Sequence, residues 1–203
     1  MAETSELRYA LSFTVGSLLT REATIAAPLY LQEHDWSRVR ARLAADNLLQ
    51  TRTTSSRIRL NREVAQRLAM LSDPELDLVI DSTGTERAHL MWVAACRRYE
   101  FIGDFAEEVV RERFLLLTPT VSYNEFDGFV RGKAIWHPEL VELKDSTMQK
   151  LRSTIFQMLV EAGLTTKQGN IVRTALSDRL AALLDERSPS DIRYFPTSLD
   201  MIG

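Results

Sequence analysis

The sequence predicts an all-α fold, a compact multi-helix body containing two helix-turn-helix-like units, and three observations carry that expectation. Apolar residues recur at helical spacing, as in Leu60, Val64, Leu68 and Leu71 or Leu151, Ile155, Met158 and Ala162, which puts each set on one stripe of a 3.6-residue helix. Helix-start signals precede such runs at Asp35, at Ser72 with Pro74 and Glu75, and at Ser122 with Glu125. There a side-chain oxygen accepts from a first-turn amide, and the glutamate three residues on closes a reciprocal capping box. Glycine and proline are scarce, 8 and 6 in 203 residues, which argues against a strand-and-turn architecture.

In chain order, Leu7, Leu11, Val15, Leu18 and Leu19 predict a first helix over 6–19, weakened by Gly16. Thr20 is read as the cap of a second segment with Ile25, Leu29 and Tyr30 inward, kinked or interrupted at Pro28. Asp35 caps a third helix that buries Trp36, Val39 and Leu43 and leaves Arg38 and Arg42 on one exposed side. A hydroxyl-rich connector then leads to a helix starting near Ser55, with Leu60, Val64, Leu68 and Leu71 inward and Arg59, Arg62 and Gln66 on the opposite face. Two helices joined this way, about 35–71, outline a helix-turn-helix, with a connector longer than the usual tight turn.

The second half continues in helices: one from Ser72 to Asp81, a loop STGT, and an all-apolar central helix over 85–99. The helix FIGDFAEEVVRERFLLL follows, with Phe105, Val109 and Leu116 inward. Beyond Pro119 the Ser122 box starts another helix, and Trp136 is expected to plug a gap. After Asp145 and Ser146 a long helix runs to Ala162 and ends at Gly163, a left-handed cap, and a helix from Ser177 to Asp185 completes a second helix-turn-helix-like or winged-helix-like unit, about 145–185. The domain expected is 1–187, with a tail over 188–203 that either drapes over the body through Tyr194 and Phe195 or is loose.

Charge is segregated. From Arg38 to Arg67, eight arginines against Asp46 and Glu63 leave a net of +6 in a chain whose total is −3, so the remainder carries −9. From Asp73 to Asp127 there are twelve acids and five bases, a half suited to repel DNA or to face a protein partner. Around the second unit, Lys144, Lys150, Arg152, Lys167 and Arg173 against Asp145 and Glu161 give a milder +3. An arginine-rich helix face is ordinarily a solvated surface with scattered ion pairs. Here, however, Arg52, Arg57 and Arg59 crowd a helix N-terminus and oppose its macrodipole. A phosphate placed there satisfies both the free amides and the guanidinium forks. Duplex DNA is the obvious source.

Other classes find little support. The 45% hydrophobic content suffices for a substantial core, and a pI near 5.7 excludes a histone-like protein that coats nucleic acid indiscriminately. The single Cys96 allows no internal disulfide and points to the cytoplasm. No run reaches the ~20 apolar residues that span a bilayer, and the N-terminus lacks a signal-peptide pattern. His34, His89 and His137 fit no metal-binding spacing, and no glycine-rich phosphate loop is present. No metal, cofactor or catalytic residue is therefore expected. Glu142-Leu143-Lys144 matches half of a nuclease site, but such sites are built on a strand and this segment lies among helices. Trp92 and Trp136 are read as packing residues.

The segments SFTVGSLL, NLLQTRTTSSRIRLNREVAQRL, LMWVAACRRYEFIGDFAEEVVRERF and WHPELVELKDSTMQKLRSTIFQMLVEAG, in that order and spacing over about residues 9–165, resemble the BrxA family of BREX (bacteriophage exclusion) phage-defence systems. The resemblance implies a bacterial, cytoplasmic, all-helical and non-enzymatic component that binds double-stranded DNA through helix-turn-helix-like elements and works with other BREX proteins. Carried over by position, the first element would use Arg38, Arg42, Arg52, Thr54, Ser55, Arg57, Arg59 and Arg62, and the second Lys150, Arg152 and Lys167. The oligomeric state stays open, a monomer included. A rival reading is an adaptor that docks other defence subunits without touching DNA.

Overall fold

The structure, a computed structural model describing residues 8–198, opens on an extended strap where the leucine spacing predicts a helix. Burial along the strap alternates: Tyr9 and Phe13 are buried, Leu11 and Val15 half-buried, and Arg8, Ala10, Ser12 and Thr14 exposed. That is the period of extended chain, with side chains pointing alternately to either side. β-Branched Thr14 and Val15, then Gly16 at φ 73° and Leu19 at φ 63°, oppose a helix locally. Two aromatic anchors hold the strap down. The Tyr9 ring stacks 3.8 Å from His137, its amide donates to Glu139 Oε1, and Phe13 meets Tyr99 edge-on at 5.4 Å.

Helix α1 (Thr20–Glu33) starts from Leu19 without a side-chain cap, so Thr20 is its first residue and not its cap. It runs uninterrupted through Pro28, forgoing only the bond that a proline nitrogen cannot donate to the carbonyl four residues back. Its neighbours are α2 (Trp36–Ala45), α3 (Thr54–Leu68) and α4 (Asp73–Asp81), the last begun by the Ser72–Glu75 capping box. The expected loop at 82–85 shrinks to two residues, because Thr83 and Glu86 form a further capping box for α5 (Gly84–Arg98). Helix α5 is the centre of the fold: every residue from Ala88 to Cys96 is buried. This follows from an apolar sequence on all sides.

Helix α6 (Glu100–Phe105) continues through a π-helical turn, Ala106–Arg111, into α7 (Glu112–Leu115). A π turn inserts an extra residue and rotates everything beyond it relative to the α-helical phase. Phe105 is accordingly buried, while Leu116, expected on the same face, is 73% exposed. Helix α8 (Tyr123–Lys133) starts at the predicted Ser122–Glu125 box. Trp136 does not plug a gap: it lies beyond the end of α8 at the rim of an open trough flanked by Gly128 and Gly132, and is 73% exposed.

Helix α9 (Asp145–Glu161) buries Leu151, Ile155, Met158 and Leu159 and packs against α5. Gly163 takes φ 71° just after it, the expected left-handed position. The chain then makes two isolated bridges, Thr165 with Ile171 and Thr120 with Asn170, before α10 (Asp178–Asp185). The following segment lies on the body: Tyr194 and Phe195 are buried, and Trp92 Nε1 donates to the Tyr194 carbonyl at 2.9 Å. It carries Asp191 into a buried ion triad. Arg97 Nε meets Asp191 at 2.7 Å, and the other guanidinium nitrogens meet both Glu75 oxygens at 2.6 and 2.7 Å. Burial pushes the Glu75 carboxyl up, but the bonds from Arg97 and Ser72 outweigh it and hold the group below its ordinary value.

Candidate nucleic-acid interface

Helix α2 is set by Asp35, whose carboxylate accepts from the Ser37 and Arg38 amides at 2.6 and 3.2 Å, and it presses Val39 and Leu43 into the core. Eight residues separate it from α3, more than the three or four of a tight helix-turn-helix turn. The connector is nonetheless ordered by its own bonds. Asn47, at φ 45°, accepts from the Thr51 amide and hydroxyl and donates back to the Thr51 carbonyl, while Leu49 is buried. Thr53 then caps α3, its hydroxyl accepting from the Ser56 amide at 3.2 Å. The predicted start near Ser55 is correct to within a residue.

Along α3 the buried side carries Asn61, Val64, Ala65 and Leu68, and the exposed side Ser55, Ile58, Arg59 and Arg62. Arg67, counted within the basic stretch, does not belong to that surface. It is 0% exposed, bonds Glu63 at 2.7 Å and donates to the Ser17 carbonyl of the strap. The Tyr99 hydroxyl donates to both Glu63 oxygens; burial first and that bond second push its pKa up to about 12. Because Arg67 and Glu63 withdraw together, the remaining seven arginines against Asp46 still leave +6 on the surface of this unit.

Acid partners are scarcer among those seven than among the other lysines and arginines, half of which have one. Arg38, Arg40, Arg52, Arg57, Arg59 and Arg62 have no carboxylate within 4.0 Å among the described residues, and only Arg42 is paired, to Glu33 at 2.9 Å. Elsewhere Arg8, Arg97, Arg113, Lys133, Arg152, Arg179, Arg187 and Arg193 each face an acid. Arg38, Arg42, Arg52, Thr54, Ser55, Arg59 and Arg62 are exposed and Arg57 half-exposed. Packing α2 on α3 thus gathers the first predicted group on one two-helix unit.

The second group is more divided. Lys150 is exposed on α9 and Lys167 in the turn beyond it, beside a cleft of about 450 Å³ that includes Tyr123 and Gly169. The Arg152 guanidinium is engaged with the protein itself: it meets both Asp127 oxygens at 3.0 and 3.2 Å and lies 4.3 Å over the Tyr123 ring. Sequence reasoning missed Ile58, which is 60% exposed between these arginines, and the trough beside it. The available signal was its angle on the helical wheel, well off the stripe of Val64 and Leu68.

For other chemistry the geometry offers little. Glu142 and Lys144 lie in a turn after a 3-10 segment, with Glu142 bonded to Arg8 at 3.2 Å. Among the described residues no three His, Cys, Asp or Glu side chains are grouped to hold a metal ion. Cys96 is buried, which pushes its thiol well above the ordinary value. No described helix is long and apolar enough to cross a membrane.

Comparison with known proteins gives a consistent result. Residues 7–188 match the family model described as BrxA. The BREX protein BrxA of Escherichia coli O9:H4 (strain HS) is 28% identical over 182 residues, 87% of this chain and 84% of that protein. The BREX protein BrxA of Paramagnetospirillum magneticum (strain ATCC 700264 / AMB-1) is 26% identical over 162 residues, 80% and 81% of the two chains. A crystal structure of an uncharacterized protein from Magnetospirillum magneticum superposes with a TM-score of 0.80 at 24% identity, covering 93% of this chain and 98% of the other. At that identity the superposition speaks for the fold.

Proposed function

The chain belongs to the BrxA family, and from that premise we propose that it is a non-enzymatic, double-stranded-DNA-binding component of a bacterial BREX phage-defence system, acting in the cytoplasm beside other BREX proteins. In this reading α2 and α3 act as a helix-turn-helix-like element with a long connector. Arg38, Arg42, Arg52, Arg57, Arg59 and Arg62 hold duplex phosphates, Thr54 and Ser55 add hydroxyl and amide donors at the start of α3, and Lys150, Arg152 and Lys167 extend the contact from a second element. The observation that carries it is the gathering on one two-helix unit of six arginines, Arg38, Arg40, Arg52, Arg57, Arg59 and Arg62, with no acidic partner among the described residues, where about half of the other lysines and arginines have one. Crowding such charges repels; a polyanion relieves the repulsion and releases its own counterions on binding.

The test is a gel shift at low salt with Arg57→Glu combined with Arg59→Glu. The expected result is loss of roughly 100-fold in affinity, since each phosphate contact contributes one screened ion pair and charge reversal adds repulsion. Helical circular dichroism stays intact because both side chains point outward. Unchanged binding by the double variant rules this site out. Plasmid that stays uncut with magnesium or manganese agrees with the non-enzymatic part of the proposal.

A second, compatible reading is supported by the exposed Leu115, Leu116, Leu117, Ile135, Trp136 and Val141, all outside the basic unit. It makes the protein an adaptor for other defence subunits. Nuclease-resistant co-purification of such subunits, with no DNA shift at low salt, favours it over the first.

A further inference from the structure

Ile58 is an aliphatic side chain in the middle of a charged surface. It is 60% exposed; the other exposed positions on its stripe of α3 are Thr54, Ser55 and Arg62, with exposed Arg59 beside it. Ser55, Ile58 and Arg62 are three and four residues apart and so lie one above another on the helix. Beside them runs an open trough between α2 and α3, about 330 Å³ in volume, lined by Arg40, Ala41, Ala44, Ile58, Asn61 and Arg62. Its accessible lining is almost wholly carbon. An isoleucine left in water forgoes the free energy of burying it, and a partner that covers it must also accept the arginines around it.

Those arginines extend from Arg38 on α2, through Arg52 in the connector, to Arg62 on α3. Arg38, Arg52, Arg57 and Arg59 lie outside the trough's lining, which favours a long polyanion over a short acidic peptide seated in the trough alone. The groove edges of duplex DNA present hydrogen-bonding groups with one apolar exception, the 5-methyl group of thymine in the major groove.

We infer that Ile58, backed by Ala41 and Ala44, reads thymine methyl groups in the major groove while the neighbouring arginines hold the phosphates. The inference rests on the DNA-binding reading and deepens it, because phosphate contacts by themselves carry no base information. It gives the protein a preference among duplexes through a contact that involves no hydrogen bond.

The experiment compares the full chain on a mixed-sequence duplex and on the same duplex with every thymine replaced by deoxyuridine, by fluorescence anisotropy at low salt. The replacement keeps every phosphate and every hydrogen-bonding edge and removes only methyl groups. The wild-type protein should bind the thymine duplex about fourfold more tightly for each methyl group contacted. Ile58→Ala should bring the ratio of the two affinities to one, and Ile58→Leu should keep it. Equal wild-type affinities, or a preference that survives Ile58→Ala, overturn the methyl reading while phosphate binding stands. Failure to bind either duplex, including a result in which only an acidic amphipathic peptide binds, overturns both readings.

Discussion

The basic unit of α2 and α3 and the junction of α4, α5 and the C-terminal segment use the same side chain in opposite ways. In the first, Arg57, Arg59 and Arg62 stand in or near solvent without a carboxylate among the described residues; in the second, Arg97 is buried and meets both Glu75 and Asp191. The difference lies in what the fold brings opposite each guanidinium. Where α4 and the segment from Asp191 converge, two acids and the Met70 carbonyl occupy Arg97 on every side. Around α3 the acid on the same helix, Glu63, faces inward and is taken by Arg67 and Tyr99, so the outer arginines are left to solvent. The same side chain is a structural element where acids surround it and an accessible cation where the fold leaves it to solvent.

The sharpest way to break this contrast is to exchange the costs. Arg97→Met leaves Glu75 and Asp191 buried without their cation, and should destabilise the protein by about 3–5 kcal/mol, read as a fall in the urea midpoint. The Arg57→Glu, Arg59→Glu double variant should move that midpoint by no more than about 0.5 kcal/mol equivalent, while it should abolish the gel shift if the proposed interface holds DNA. If instead the double variant unfolds and Arg97→Met does not, the assignment of the two regions is reversed. Thr53→Ala removes the α3 cap and should cost about 1 kcal/mol, placing the platform of the basic unit between those extremes.

The smallest effect concerns a third kind of buried base, one with no acid against it. Burial holds the His89 imidazole below its ordinary value of 6.5, with the Glu86 charge and the Ala162 backbone only partly offsetting it. The unfolded chain therefore takes up the proton first, so stability is full above about pH 6.5 and declines as the pH falls below it. His89→Gln should flatten that decline between about pH 7.5 and about pH 5.5. A slope unchanged by the substitution assigns it to other groups.

Much of the helical order was legible because it is written in neighbouring residues. Asp35, the Ser72–Glu75 pair and the Ser122–Glu125 pair each bond within three residues, so local chemistry alone locates the helix starts. The strap was misread because Leu7, Leu11 and Val15 fit a helical spacing while Tyr9, Leu11, Phe13 and Val15 fit an extended one; the core contacts of Tyr9 and Phe13 with His137 and Tyr99 accompany the extended form. Leu116 and Trp136 were misplaced for a related reason, since neither the π turn nor the trough beside α8 leaves a periodic mark.

The amino-acid order by itself determined the all-helical class, most helix starts and the segregation of positive charge between Arg38 and Arg67, because propensity, capping and net charge depend on residues close in the chain. The tertiary structure alone decided which of those cations are exposed. Arg67 is withdrawn by a carbonyl 50 residues away and Arg97 by an acid 94 residues away, and Ile58 is left 60% exposed because no described element packs over the outer face of α3. Pairing and burial are set by what comes near in space, and that depends on the whole fold at once.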